Sequence, residues 1–281
     1  MDRIGIIGFG FVGRAIYESI KEKESVVIYD KYKKRYDNHL LLKECDYIFV
    51  SVPTPTKGKG QDTTELDDVL MTLSGINYTG TVIIKSTILW KYIEQIESDF
   101  NIVVNPEFLN QNFASEDFAT QSFILLGGDA TVCHKVIRLY SEQFELPNAN
   151  DYHITSIKEA MSFKYIHNIY HAYNVLFWNY VNECFGDARK YVKLYERMGN
   201  PTPIMSKVCA DGLPGYGGAC FPKDVNAMEH FNSHELTNYM KRYNERIRNT
   251  NTKGNVHEFI LNGDALTSTL HETIEKRMGR G

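Results

Sequence analysis

The 281-residue chain has no run of eighteen apolar residues, and its most apolar short stretch, Phe123 to Leu126, is strand-sized. That argues against a membrane-spanning helix. Its first residues also lack a long apolar region. Acidic Asp2 stands beside Arg3 and the apolar run after them ends at Gly8, which argues against a secretory leader. No CxxC pair is present. Five cysteines, at positions 45, 133, 184, 209 and 220, form an odd, scattered set. This argues against a disulfide framework or a cysteine-rich zinc site, so no metal site is expected; it fits reduced thiols in the cytoplasm. Charge of one sign is not in excess. A net charge of -4 gives no footprint for nucleic acid or an anionic membrane. Internal repeats and low-complexity tracts are missing too. What remains is an average globular composition, 43% hydrophobic and 23% charged, long enough for one large domain or two ordinary ones.

Local patterns set the organisation. Apolar runs at Ile4–Ile7, Val26–Tyr29, Tyr47–Val52, Val82–Ile84, Ile102–Val104 and Phe123–Leu126 read as buried strands. Between the first two, Val12, Ile16 and Ile20 recur at helical spacing within Phe11 to Lys23. This rhythm predicts a parallel α/β sheet covered on both faces. The polar stretch Pro147 to Asp151 marks a domain boundary. Beyond it, Ser156-Ile-Lys-Glu159 is a capping-box sequence, and no Gly or Pro follows until Gly186. One helix of about thirty residues is expected, longer than usual and suited to an interdomain or dimer spine. Further helices are expected at Asp187–Met198, Ala227–Phe231 and Leu236–Arg248, then a polar connector from Asn249 to Gly254 and a short element at His257 to Leu261. The fold class is therefore α/β. A Rossmann-type parallel-sheet domain over residues 1–150 precedes an all-helical domain over residues 151–281 built on one long helix.

Gly8-Phe-Gly10-Phe11-Val12-Gly13 follows a predicted strand and opens a predicted helix. Such glycines permit a tight turn, close approach of a pyrophosphate and close helix–strand packing, with helix N–H groups turned to the phosphates. Asp30 closes the second strand about twenty residues on, the spacing of an acidic partner for adenosine ribose hydroxyls. It favours NAD over NADP. Lys31, Lys33, Lys34 and Arg35 follow directly and read as a solvated loop.

Pro214-Gly-Tyr-Gly-Gly-Ala-Cys-Phe-Pro-Lys-Asp224 is the most specific segment. Its glycines let backbone approach a ligand, and Pro222 suits the start of a helix. Cys220, just before that helix and near Lys223, is placed for a stabilised thiolate. Asp224 lies within reach to orient a water or take a proton. Cys45, Cys133, Cys184 and Cys209 read instead as small buried apolar residues. Lys164 and Asn168 share a helix face at i, i+4, a pair suited to an oxyanion or polarised carbonyl. Glu107, in Asn105-Pro-Glu-Phe-Leu109, falls at a strand's C-terminal end, where open α/β sheets bind ligands.

On these residues the chain resembles the UDP-glucose/GDP-mannose dehydrogenase family over residues 1 to 250. The glycine motif carries the likeness, with Val52-Pro-Thr-Pro55, Lys85-Ser-Thr87, Asn105-Pro-Glu-Phe-Leu109, Glu116-Asp-Phe118, Lys164-xxx-Asn168 and Gly217-Gly-Ala-Cys-Phe-Pro-Lys-Asp224. The resemblance implies NAD-dependent four-electron oxidation of a nucleotide-sugar alcohol to a carboxylate, with UDP-glucose to UDP-glucuronate as the best guess. It implies Cys220 as the nucleophile that forms a thiohemiacetal and then a thioester. Lys164 and Asn168 would stabilise the oxyanion, and Glu107 would act as base or activate water with Asp224 assisting. Val52, Pro53, Thr54 and Thr87 would line the nicotinamide side. Phe108, Leu109, Lys164, Asn168, Tyr216, Gly217 and Gly218 would meet substrate. A homodimer through the long helix is expected. A thiolate, a cation and carboxylates form a complete acyl-enzyme set on chemical grounds as well.

The chain departs from the family pattern at substrate positions. Leu89-Trp90 replaces a proline-glycine, Asn110-Gln111-Asn112 replaces Arg or Ala then Glu-Gly, and Thr202 stands near a usual arginine. Only about thirty residues follow Asn251, so a shortened form lacking the C-terminal nucleotide-sugar-binding domain is expected. Two alternatives stay open: a two-electron dehydrogenase of the β-hydroxyacid type, and an inactive NAD-binding remnant.

Overall fold

A computed structural model describes residues 2–57, 60–96, 100–199 and 211–251. They fall into two compact units that divide at Ile166 and His167.

The first unit is built on one sheet. Its strands are β1 (Ile4–Ile7), β2 (Val27–Tyr29), β3 (Tyr47–Val50), β4 (Thr81–Ile84), β5 (Asn101–Val104), β6 (Phe123–Gly128) and β7 (Asp151–Thr155). Their order is β2-β1-β3-β4-β5-β6-β7. The first five run parallel, β6 is antiparallel to β5, and β7 is parallel to β6. The sheet is thus mostly parallel, and its last two strands reverse the expected direction. Asp151–Thr155 is a strand where the sequence suggests the start of a helical half. As the last strand of the sheet it alternates exposed and half-buried residues, so it has no continuous apolar run.

Strand residues alternate between two cores. Ile7, Ile48, Val50, Val82 and Ile84 face one side with Leu66, Val69, Leu70 and Leu73 of α2 (Thr64–Gly75). Ile4, Ile6, Phe49, Ile83 and Val103 face the other, with Ala15 and Ile16 of α1 (Phe11–Glu18). Phe118 of α4 (Ala114–Thr120) and Val136, Leu139 and Tyr140 of α5 (Ala130–Gln143) complete that side, while α3 (Trp90–Ile96) adds Ile93 to the first. Helix α1 stops five residues before Lys23, because Ile20 is drawn into an antiparallel bridge with Phe144.

The long helix α6 (Ile157–Phe185) has 29 residues. Its capping box forms as expected: the Glu159 N–H donates to Ser156 Oγ at 3.2 Å and the Ser156 N–H to Glu159 Oε2 at 3.3 Å. Ile157, Ala160 and Met161 pack in the sheet's core, so the first turns of α6 belong to the first unit.

The second unit holds the rest of α6, α7 (Ala188–Arg197), α8 (Phe221–Phe231) and α9 (Glu235–Asn251). Ala172, Val175 and Leu176 of α6 pack with Tyr216, Val225, Met240, Tyr243 and Ile247. Helix α8 begins at Phe221, six residues before the apolar pattern suggests, with Pro222 in its first turn. Residues 249–251, read as connector, are the last turn of α9; the rest of that connector and residues 257–261 lie outside the described residues. Cys45 and Cys133 are buried, with burial pushing their thiols up to about 12 and about 11. Cys184 is exposed, contrary to its reading as a buried residue, because it falls on the outward side of α6; Cys209 lies outside the described residues. Among the described residues no helix is long and apolar enough to cross a membrane.

Candidate active site

The strand order reverses around β1, between its neighbours β2 and β3, and open α/β sheets bind ligands beyond the carboxyl ends of strands at such a point. The glycine motif occupies that place. Gly8 has φ +84°, and a Cβ there would lie 2.7 Å from Ser51 O. A Cβ on Gly13 would meet Gly8 O at 2.1 Å, so glycine alone lets α1 sit this close to β1. Around Gly10, by contrast, nothing lies within 4 Å of a built Cβ, which leaves room for a ligand at the helix N-terminus.

A cavity of about 540 Å³ opens here, lined by Gly8, Gly10, Asp30, Val52 and Pro53 among others. Asp30 is fixed by the N–H groups of Phe9 (3.0 Å) and Tyr32 (3.1 Å). Lys31 and Lys33 are not merely solvated. Lys31 Nζ lies 2.5 Å from Asp68 and 3.0 Å from Glu65; the hydrogen bond to Asp68, then that to Glu65, pushes its pKa upward. Lys33 pairs with Asp30 at 3.4 Å and donates to Phe9 O. Glu65 and Asp68 escape sequence reading because they stand more than thirty residues from the lysine they bind. Phe11 lines a second cavity with Gly10 and Arg14. Val12, Gly13, Thr54 and Thr87 line neither of these two. Thr54 and Thr87 are joined to each other instead: Thr54 Oγ1 donates to Thr87 O at 2.7 Å, and so does Gln61 Nε2.

In the first unit Glu107 follows β5 and is buried. Lys164 Nζ donates to Glu107 O at 2.5 Å and lies 3.4 Å from its Oε1, and the Leu109 N–H donates to Oε2 at 2.8 Å. Burial alone would raise the carboxyl's pKa; Lys164, this N–H and Lys85 outweigh it and hold Glu107 below the ordinary carboxylate range. Lys85 is itself buried and donates to Asn105 Oδ1 at 2.9 Å, where the Tyr140 hydroxyl also donates at 2.6 Å. Burial, reinforced by the charge of Lys164 and opposed by Glu107, brings Lys85 down to about 7. Phe108 and Leu109 are half-buried beside Glu107, and the Phe108 ring lies 5.3 Å from Lys164 Nζ.

In the second unit Cys220 is half-buried and caps α8. Asp224, one turn into that helix, is fully buried. Asn168 Nδ2 donates to its Oδ2 at 2.5 Å, and its Oδ1 pairs with Lys223. Lys164 and Asn168, a turn apart on α6, therefore each hold a carboxylate. Tyr216 is buried in the helical core, and its backbone N–H and carbonyl both bond Asn244. A Cβ on Gly217 would strike Asp211, whereas Gly218 faces open space.

Two family models match this chain. Residues 25–144 match the NAD binding domain of the UDP-glucose/GDP-mannose dehydrogenase family, and residues 158–253 match its central domain. The chain belongs to the UDP-glucose/GDP-mannose dehydrogenase family. UDP-glucose 6-dehydrogenase of Rickettsia bellii is 28% identical over 245 residues, 83% of this chain and 54% of that protein. The Campylobacter jejuni protein of the same name is 32% identical over 196 residues, 64% of this chain and 47% of its own length. The chain thus spans about half the length of these curated relatives. Among solved structures, a UDP-glucose dehydrogenase from Pyrobaculum islandicum superposes with TM-score 0.71 at 20% identity, covering 88% of this chain and 68% of that one. That likeness shows the fold.

The residues present fit the NAD of such dehydrogenases: a glycine cradle with open space at Gly10, and Asp30 held beside the cavity. At the positions where this member departs from the family pattern, Asn110 caps a 3-10 turn (Gln111–Phe113) and its N–H donates to Asp117 at 2.7 Å. The Leu89 N–H donates to Gln61 Oε1 at 3.1 Å, and Trp90 opens α3. Thr202 lies outside the described residues.

Proposed function

We propose that this protein is an NAD-dependent nucleotide-sugar 6-dehydrogenase, with UDP-glucose as the preferred substrate class member, acting through a thioester on Cys220. The observation that carries this reading is the Asn168–Asp224 bond of 2.5 Å, which within the second unit joins α6 to the helix that Cys220 caps. Bound NAD would supply the hydride acceptor for each of two oxidations. Gly8, Gly10 and Gly13 would admit its pyrophosphate, and Asp30 would take the ribose hydroxyls. The acidic excess of Asp30, Glu65 and Asp68 over Lys31 and Lys33 disfavours a 2′-phosphate. Val52, Pro53, Thr54 and Thr87 form the nicotinamide side.

In the first step the C6 alcohol would give its hydride to NAD and its hydroxyl proton to solvent, leaving an aldehyde. The Cys220 thiolate adds to that aldehyde, and Lys164 with Asn168 stabilises the oxyanion of the thiohemiacetal. Loss of a second hydride leaves a thioester. Water adds to it, the C–S bond breaks, and carboxylate and thiol are released. Glu107, kept ionised by Lys164, is the base for that water. Both oxygens of Asp224 are engaged, so it orients Asn168 and assists the reaction by positioning instead of moving protons. Phe108, Leu109, Gly217 and Gly218 border the sugar, and the reduced thiol suits the cytoplasm.

Glu107→Gln is expected to slow hydrolysis at least a hundredfold and to leave a covalent sugar adduct on Cys220, read by intact mass and peptide mapping. An adduct on another residue, or unchanged turnover in Cys220→Ser, would overturn this mechanism.

We also propose that two copies pair through α6. Phe163, Ile166, Tyr170, Tyr173, Phe177 and Tyr180 are all exposed, between 37% and 61%, at alternating spacings of three and four. That is the seam of a helix pair, and a second copy presents the same stripe.

A further inference from the structure

The glycine segment before Cys220 is held by α9. Asn244 is buried on that helix, and its amide makes both bonds that a backbone partner would make: Oδ1 accepts from the Tyr216 N–H at 2.8 Å, and Nδ2 donates to Tyr216 O at 3.0 Å. Arg248, one turn further along α9, adds Nη1 to the same carbonyl at 3.4 Å and is anchored by Asp211 at 2.6 Å. The neighbouring glycines are shaped to this clasp. A Cβ on Gly215, whose φ is +82°, would lie 2.2 Å from Asn244 Oδ1. A Cβ on Gly217 would lie 2.2 Å from Asp211 Oδ2 and 2.7 Å from Arg248 Nη1. The Tyr216 side chain is sunk in the same core as Val225 of α8 and Ile247 of α9. The segment between Tyr216 and Val225, which contains Cys220, is therefore pinned at both ends.

A buried amide matched to both backbone groups of one residue is a costly arrangement to break, since each lost partner leaves a desolvated donor or acceptor. A glycine loop without it has more backbone freedom than any other. We propose that Asn244, seconded by Arg248, is a positioning residue that fixes the backbone of Tyr216 and through it the approach to the Cys220 thiol. The function assigned to that thiol rests on the reading above; the clasp itself is a property of the second unit and can be measured separately.

The test uses the full chain and Asn244→Leu, which keeps the volume and removes both bonds. Folding is checked by circular dichroism. Hydrogen exchange at the Tyr216 amide should quicken at least tenfold. Alkylation of Cys220 by iodoacetamide at pH 9.5, where the rate reads access to the thiolate, should quicken at least fivefold. Turnover should fall tenfold or more while KM for NAD stays within twofold, a split that general loosening would not give. Asn244→Asp, isosteric but with an oxygen facing the Tyr216 carbonyl, should behave like Asn244→Leu; parental behaviour would mean that packing alone matters. Should Asn244→Leu not fold, Arg248→Met is expected to quicken exchange at Tyr216 about threefold. Exchange and alkylation both within twofold of the parent in a folded variant would overturn the clasp. Failure of the thioester reading, seen as normal turnover in Cys220→Ser, leaves those two rates to decide the clasp alone.

Discussion

Lys85, Glu107 and Lys164 place two basic side chains and one carboxylate in a buried setting, and the shifts of Lys85 and Glu107 follow from burial and from each other's charge. Glu107 gains an ammonium and an N–H, so its charge is stabilised. Lys85 donates to a neutral acceptor, and its burial outweighs what the charge of Glu107 returns, with a smaller repulsion from Lys164 adding to the burial. Its folded pKa of about 7 lies below the ordinary 10.5. Between those values the unfolded chain holds a proton that the folded chain does not. Stability contributed by this residue therefore rises with pH from about 7 to 10.5, and the penalty is fully present below 7. Lys85→Met leaves the Tyr140 hydroxyl on Asn105 and removes the penalty. It is expected to stabilise the protein by a few kcal/mol at pH 6, with the gain shrinking toward pH 10. Urea midpoints across that range check this; a constant difference between the two proteins would contradict it.

Residues of this kind divide by legibility. The glycines at 8, 10 and 13 and Asp30 are legible because close backbone approach, and the ribose contact proposed for Asp30, call for particular residues at fixed spacing. Glu65, Asp68 and Asn244 are not. Each acts through a neighbour distant in sequence or through burial of a polar side chain on an otherwise amphipathic helix, and neither leaves a local pattern.

At the scale of elements, α6 was the plainest reading. Its capping box, absence of Gly and Pro and length all appear as expected. The edge strand β7 and the reversed β6 were hidden, since strand direction follows from pairing and not from composition. The aromatic stripe of α6 shows only once burial is known, because sequence does not say which face of a helix is left exposed. If it is the seam of a dimer, Tyr173→Glu with Phe177→Glu should convert a dimer of twice the 32.3 kDa chain mass into a monomer by light scattering. A parent protein that is already monomeric at micromolar concentration would contradict the seam.

At the scale of the molecule, the sheet unit carries the dinucleotide cradle and the Glu107–Lys164 pair, and the helical unit carries Cys220, Asp224 and Asn168. The helix bearing both Lys164 and Asn168 contributes residues to each. A thiol, an oxyanion cation and an ionised base are the groups that the proposed four-electron oxidation requires. The most direct test of that claim is the stoichiometry of turnover. Incubated with NAD and UDP-glucose, the protein should form two NADH for each sugar nucleotide consumed and release a carboxylate. One NADH per substrate, with an aldehyde or ketone as product, would contradict the account.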